Sequence, residues 1–273
     1  MNSIRMRQAA AAGIMTLLLA CSTVPITERQ QLNLIPQSTI LQTSFQQYGQ
    51  FLKENELSQN AELTRMVKEV GANIQRSVEA YFEREGMSDQ LEGYKWEFHL
   101  VKGDQQNAFA MPGGKVVVYE GIMEIAKDAN GLATIMGHEI AHAVAGHGNE
   151  RMSQQLATQL GGMGLAAALS QKPAQTQQLW MAAFGLGSQI GFLLPYSRLH
   201  ESEADRLGLI FMAMAGYDPA AAVDFWQRMA AREKSGSPPQ FLSTHPTNET
   251  RIAQIKEWLP EAMAAYRKNG TAG

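Results

Sequence analysis

Two histidines four residues apart, with a glutamate directly after the first, make up the stretch His138-Glu139-Ile140-Ala141-His142. On a helix, residues at i and i+4 lie one turn apart with Cβ atoms about 5–6 Å from each other, so both imidazoles can reach one cation. Neutral imidazoles suit zinc, and a neighbouring carboxylate can take a proton from attacking water. The chemistry implied is hydrolysis assisted by one Zn2+ per chain, with a peptide bond as the expected target. Such a short pattern also arises by chance on surface helices, and the flanks decide between the readings. Leu132-Ala133-Thr134-Ile135-Met136-Gly137 and Ala143-Val144-Ala145 carry no charge, so the helix reads as buried on most sides. Unpartnered polar groups there would cost about 1–3 kcal/mol each. A shared cation supplies the partner.

Zinc needs a third protein ligand. A third histidine ten positions after the first, with glycine at the seventh, would be the metzincin pattern. Here Gly146 and His147 stand eight and nine positions on. That register is wrong, Gly146 reads as the end of the helix, and His147 is expected to be structural or to support a ligand. The stronger candidate lies in Ser197-Arg198-Leu199-His200-Glu201-Ser202-Glu203-Ala204-Asp205, which continues as an amphipathic helix to Gly216. Glu201 and Asp205 share a face, where like charges repel unless each has work to do. Glu201 as metal ligand and Asp205 as acceptor for a ligating imidazole N–H would resolve the conflict. Glu203 reads as a solvated residue.

These pieces, together with His245-Pro246 and Arg251-Ile252, resemble the gluzincin peptidases that include the CAAX prenyl endopeptidases, the HtpX-type heat-shock proteases and the Oma-type proteases. The resemblance covers roughly residues 24 to 260. It implies a zinc metalloendopeptidase with His138, His142 and Glu201 as ligands, Glu139 as base and Asp205 behind a ligand. It also implies that His245 sits near the catalytic water, where it or Arg251 steadies the oxyanion or covers the metal. A competing expectation from another class is a chaperone-like role in envelope assembly with the site held closed by His245 or by the 152–195 hairpin.

Several elements must position these residues. Pro112-Gly113-Gly114 is a turn followed by the β-branched run Lys115-Val116-Val117-Val118-Tyr119, so a hairpin is expected. Its first arm, Asn107-Ala108-Phe109-Ala110, resembles the family's substrate-aligning strand, whose free edge would pair with an extended peptide. Trp96, Phe98 and Leu100 alternate with Lys95, Glu97 and His99 in a half-buried strand, which puts His99 on the surface. Leu63, Met66, Val67, Val70, Ile74, Val78, Tyr81 and Phe82 recur every three or four residues, predicting a long helix with Ser58 as its cap. Another helix is expected from Thr39 to Lys53, and the last helix is expected to stop by Pro260. The expected fold is α+β and zincin-like, a mostly helical domain with one small sheet whose edge strand borders the zinc site.

Residues 152–195 read as a helical hairpin rich in small residues, near the cleft as a lid, with no stretch long enough to span a bilayer. Arg5 and Arg7 precede the apolar run Ala9 to Ala20, which reads as a signal peptide. Leu18-Leu19-Ala20-Cys21 resembles a bacterial lipobox, so the single cysteine, Cys21, is the expected lipid attachment point, and Ser22 after it favours the outer membrane, facing the periplasm. Without residues 1–20 the chain keeps 21 basic and 26 acidic residues, a formal charge of −5 with no basic patch for nucleic acid. The organisation expected is a signal peptide at 1–20, a lead segment and helix at 21–57, the peptidase domain at 58–260 and a tail at 261–273. The partners expected are protein or peptide substrates and the membrane, through Cys21.

Overall fold

The computed structural model describes residues 21–188, 194–236, 238–246 and 249–270, so the signal peptide expected at 1–20 lies outside the described residues. The chain divides into two units, one formed by Met1–Gln37 with His147–Ser197 and the other by Ser38–Gly146 with Arg198–Gly273.

In chain order the main elements are β1 (Cys21–Thr23), β2 (Gln30–Leu32), α1 (Gln37–Glu54), α2 (Ala61–Arg84), β3 (Glu97–Val101), β4 (Ala108–Met111) and β5 (Lys115–Tyr119). Then follow α3 (Ala129–Val144), α4 (His147–Leu169), α5 (Ala174–Ser188), α6 (Leu194–Met214), α7 (Ala221–Lys234) and α8 (Glu249–Gly270). The expected α+β architecture, mostly helical, is what the structure has, with two small sheets where one was expected, a two-stranded β1–β2 ribbon being the addition.

The larger unit is built on a three-stranded sheet in the order β3-β5-β4. β5 is central, parallel to β3 and antiparallel to β4, with Phe109 opposite Val117 and Ala110 opposite Val116. Pro112-Gly113-Gly114 makes the expected turn, with φ of 86° and 81° at the two glycines. The sheet has apolar residues on both faces, which is why every residue of β5 is buried. Val117, Tyr119 and Val101 pack with Tyr48, Phe51 and Leu52 of α1. The opposite face, carrying Phe98, Leu100, Val116 and Val118, belongs to the core that α2 and α3 complete with Val70, Ile74, Leu132, Ile135 and Met136. Gly71 on α2 is required there, since a Cβ would stand 2.3 Å from the Phe98 ring.

Three sequence expectations give way. The cap of α2 is Asn60, whose side chain accepts from Leu63 N at 3.1 Å, while Ser58 Oγ accepts from Asn60 N one step earlier. His99 is half-buried rather than a surface residue, because α1 covers its side of the sheet and Tyr48 Oη meets its Nδ1 at 2.5 Å. Burial holds its pKa below the ordinary histidine value, against the opposing pull of Glu97. Finally, α8 continues through Pro260 to Gly270. A proline inside a helix loses one N–H and crowds the carbonyl four residues back, at about 3 kcal/mol, and here Ile255 and Ala262 are buried on either side of it while Arg206 pairs with Glu261 at 3.0 Å.

The smaller unit contains the β1–β2 ribbon and the α4–α5 hairpin, in the region where a helical hairpin was expected. Arg29 pairs with Glu150 through two hydrogen bonds of 2.8 and 2.7 Å, Leu34 N donates to Ser153 Oγ and Asn149 Nδ2 donates to Ile35 O. Among the described residues, no helix is long and apolar enough to cross a membrane.

Candidate metal centre

The site exists because two helices touch backbone to backbone. A Cβ on Gly137 of α3 would lie 2.9 Å from Gly208 O, and one on Gly208 of α6 would lie 2.8 Å from His138 N. Only glycine at both positions permits this approach. It brings His138 and His142 of one helix onto Glu201 and Asp205 of the other. α3 begins at Asp128, whose side chain accepts from Gly131 N at 2.9 Å, and ends one residue before Ala145 and the left-handed Gly146 (φ 70°). Gly146 therefore stops the helix as expected.

His138 Nε2 and His142 Nε2 stand 3.1 Å apart, and Glu201 oxygens lie 3.4 and 3.3 Å from them. His245 joins this group, its Nδ1 3.1 Å from His138 Nε2 and 3.0 Å from Glu201 Oε1. Two ligands bound tetrahedrally to zinc at about 2.0–2.1 Å are about 3.3 Å from each other. These separations, from 3.0 to 3.4 Å, are close to that value, so the residues fit a metal of that kind. Among the described residues this is the group able to hold one.

Charge is balanced around the group. His138 Nδ1 lies 2.9 Å from Asp205 Oδ1, an arrangement in which the ring donates there and keeps the Nε2 lone pair for a cation. Asp205 is in turn gripped by Arg251, through Nη2 and Nε, both at 2.7 Å. The guanidinium lies flat over Trp226, 3.4 Å from the ring centroid, and reaches Glu201 Oε2 at 3.3 Å. Burial disfavours a charged His138, but its hydrogen bonds to Asp205 and Glu201 outweigh burial and raise its pKa to about 9. Burial acts to raise the pKa of Glu201 as well, yet His138, His142 and His245 hold it far below the carboxylate range.

Glu139 points to the sheet. Its Oε2 accepts from Ala110 N of β4 at 3.1 Å. Its Oε1 is buried, makes no hydrogen bond among the described residues and lies 3.3 Å from His245 Nε2. Phe109 and Met111 face β5 in the ladder, so the N–H and C=O groups of Ala108 and Ala110 face away from it along the free edge. Tyr119 N donates to Asn107 O, which closes the ladder at its other end.

Peptidase family M48 is matched over residues 59–259. The chain belongs to this family. It is 42 % identical over 179 residues to the mitochondrial metalloendopeptidase OMA1 of Schizosaccharomyces pombe, a match covering 65 % of this chain and 50 % of the relative. It is 31 % identical over 249 residues to human OMA1, covering 88 % of this chain and 46 % of that one. The β-barrel assembly-enhancing protease of Escherichia coli is 31 % identical over 165 residues, 59 % of this chain and 34 % of the relative. The chain thus spans half or less of the length of these curated relatives. The resemblance drawn from the motifs is the family that these matches show.

Within this M48 domain the structure brings together the residues expected at the metal, and His147, expected to be structural or to support a ligand, is buried and not part of the ligand group. Glu203 is not solvated as expected; it is 5 % exposed, because α6 is enclosed on more sides than its acidic sequence suggests. Four contributing residues escaped the sequence reading. Gly137 and Gly208 look like ordinary helix glycines until the two are paired. Trp226 was visible only as an apolar helix position, and Phe241, whose ring stacks on His245 at 4.5 Å, carries no motif at all.

Proposed function

We propose that this chain is a zinc-dependent endopeptidase acting on misfolded or unassembled proteins of the bacterial envelope. The observation that carries the reading is a buried carboxylate, Glu139, with one oxygen tied to an open strand edge and the other unbonded, beside a ready-spaced set of metal donors. His138, His142 and Glu201 would hold the metal, and two imidazoles with a carboxylate favour zinc. When bound, zinc supplies Lewis acidity for the carbonyl and lowers the pKa of water. Ala108 and Ala110, flanked by Asn107 and Phe109, hold an extended peptide by strand addition. Glu139 Oε1 takes the proton from water and returns it to the leaving amine. Asp205 fixes the His138 tautomer, Arg251 holds Asp205 in place, and His245 Nε2 donates to the developing oxyanion.

The names of the bacterial relatives support an envelope setting. Acylation at Cys21 would anchor the chain to the outer membrane facing the periplasm, in protein quality control. The test is cleavage of unfolded casein by Glu139→Gln, which should fall at least about a hundredfold, as loss of a general base does, with metal content retained. Undiminished cleavage would refute the assignment.

A second reading has its own support: His245 Nδ1 occupies a fourth ligand position. A site closed by four protein ligands is structural or held shut, which favours a chaperone-like envelope lipoprotein with a self-inhibited centre. The His245→Ala variant separates the two. Faster casein cleavage supports the closed site, and slower cleavage supports His245 as an oxyanion donor.

A further inference from the structure

From residue 155 to 185 no residue of the α4–α5 hairpin is buried, although the stretch carries a single charge, Lys172. Water-facing helices ordinarily carry charge over most of their surface. Here the exposed surface has uncharged glutamines beside a run of large apolar side chains instead. Met152, Leu156, Leu160 and Met163 follow one another at spacings of four, four and three on α4, so they form one stripe about 16 Å long. Met163 is 69 % exposed, and on α5 Leu179 and Trp180 are 71 % and 56 % exposed. The hairpin is nonetheless closely packed against itself, with Phe184 seated on Gly161 and Gly162, where a Cβ would stand 3.2 and 3.5 Å from the ring. Its apolar surface is therefore presented rather than left over from poor packing.

We propose that this hairpin lies in the interfacial layer of a phospholipid bilayer, with the Met152–Met163 stripe, Leu179 and Trp180 inserted among the acyl chains and Lys172 reaching back to the headgroups. Three observations select lipid over a protein partner. The surface has no charged rim of the kind that orients a protein interface, it carries a tryptophan beside aliphatic side chains as interfacial segments do, and it is too short and too rich in glutamine to span. The fourth is the tether. Cys21 begins the ribbon whose following segment is fixed to the first two turns of α4 through Arg29–Glu150, Asn149–Ile35 and Leu34–Ser153. The stripe starts within a turn of that junction, so an acylated Cys21 would hold it at the bilayer surface. This last step rests on the acylation proposed above; the other three do not.

The full chain, purified from membranes and reconstituted into vesicles of phosphatidylethanolamine and phosphatidylglycerol with brominated acyl chains, tests the proposal. Bromine should quench part of the tryptophan emission, and Trp180→Phe should remove that quenched part, since Trp96, Trp226 and Trp258 would be unaffected. Leu160→Gln with Met163→Gln should reduce the quenching roughly twofold or more. Intact mass reads acylation separately. An acylated chain whose Trp180 is unquenched overturns the docking, whereas a quenched Trp180 on an unacylated chain supports it and sinks the anchor. Without lipid, protection of Trp180 from acrylamide by casein or by raised protein concentration would assign the stripe to substrate or to a second copy and overturn the proposal.

Discussion

Around His138 and Asp205, charged side chains are buried; along 155–185, apolar side chains are exposed. Each region breaks the usual partition between core and surface, and each does so in a way that shows what it is for. At the metal centre Asp205 and Glu201 meet Arg251 and the imidazoles, so these polar groups are held in one geometry. On the hairpin the apolar groups hold nothing together beyond the hairpin itself. Inverted burial marks function in both places, but disturbing the first should cost stability and disturbing the second should not.

The largest effect is expected from breaking the Asp205–Arg251 pair. Both residues are buried, at 5 % and 3 % exposure, so Asp205→Ala takes away the nearest counter-charge of the guanidinium and leaves it only the more distant Glu201 at 3.3 Å, a change worth up to about 3–5 kcal/mol. Urea unfolding of Asp205→Ala, Arg251→Met and the double variant should show the double costing less than the sum. Additive losses would mean that the two residues act independently and that the charge balance described above is wrong.

The sequence made the candidate ligand group legible because ligation would impose spacing: a step of four residues from His138 to His142, and another from Glu201 to Asp205, each puts two groups on one helical face. The hairpin turn at 112–114 was legible for a similar local reason, since its two glycines supply the positive φ that the turn requires. What was not legible depends on contacts between distant segments. Nothing near Gly208 announces that Gly137 will lie against it, and nothing near His99 announces that Tyr48 will cover it. Pro260 was misread because local chemistry argues for a stop while burial of Ala262, a tertiary effect, keeps the helix going.

Glycines offer a second, smaller contrast between the two regions. Alanine at Gly208 would put a Cβ 2.8 Å from His138 N, against backbone that cannot turn aside, so a loss of about 1–3 kcal/mol is expected. The displacement would fall on His138 itself, so zinc affinity measured by competition with a chelator should weaken too. A Cβ added to Gly164, inside α4, would meet nothing within 4 Å. Gly164→Ala should therefore stabilise by about 0.5–1 kcal/mol through helix propensity alone. Equal effects of the two substitutions would remove the helix contact as the reason the site forms.

The smallest effect is expected where apolar residues are most exposed. Leu160→Gln and Met163→Gln take away side chains that bury little in the folded chain, and leucine, methionine and glutamine have similar helix propensities. The change in stability in detergent-free buffer should stay within about 0.5 kcal/mol, with casein cleavage unaltered. A loss several times larger would show these side chains packed against protein, and the contrast with the metal centre would collapse. A negligible loss would leave the stripe without a structural reason to be apolar. A contiguous exposed stripe of Leu and Met that contributes nothing to folding marks a surface that something outside the chain covers.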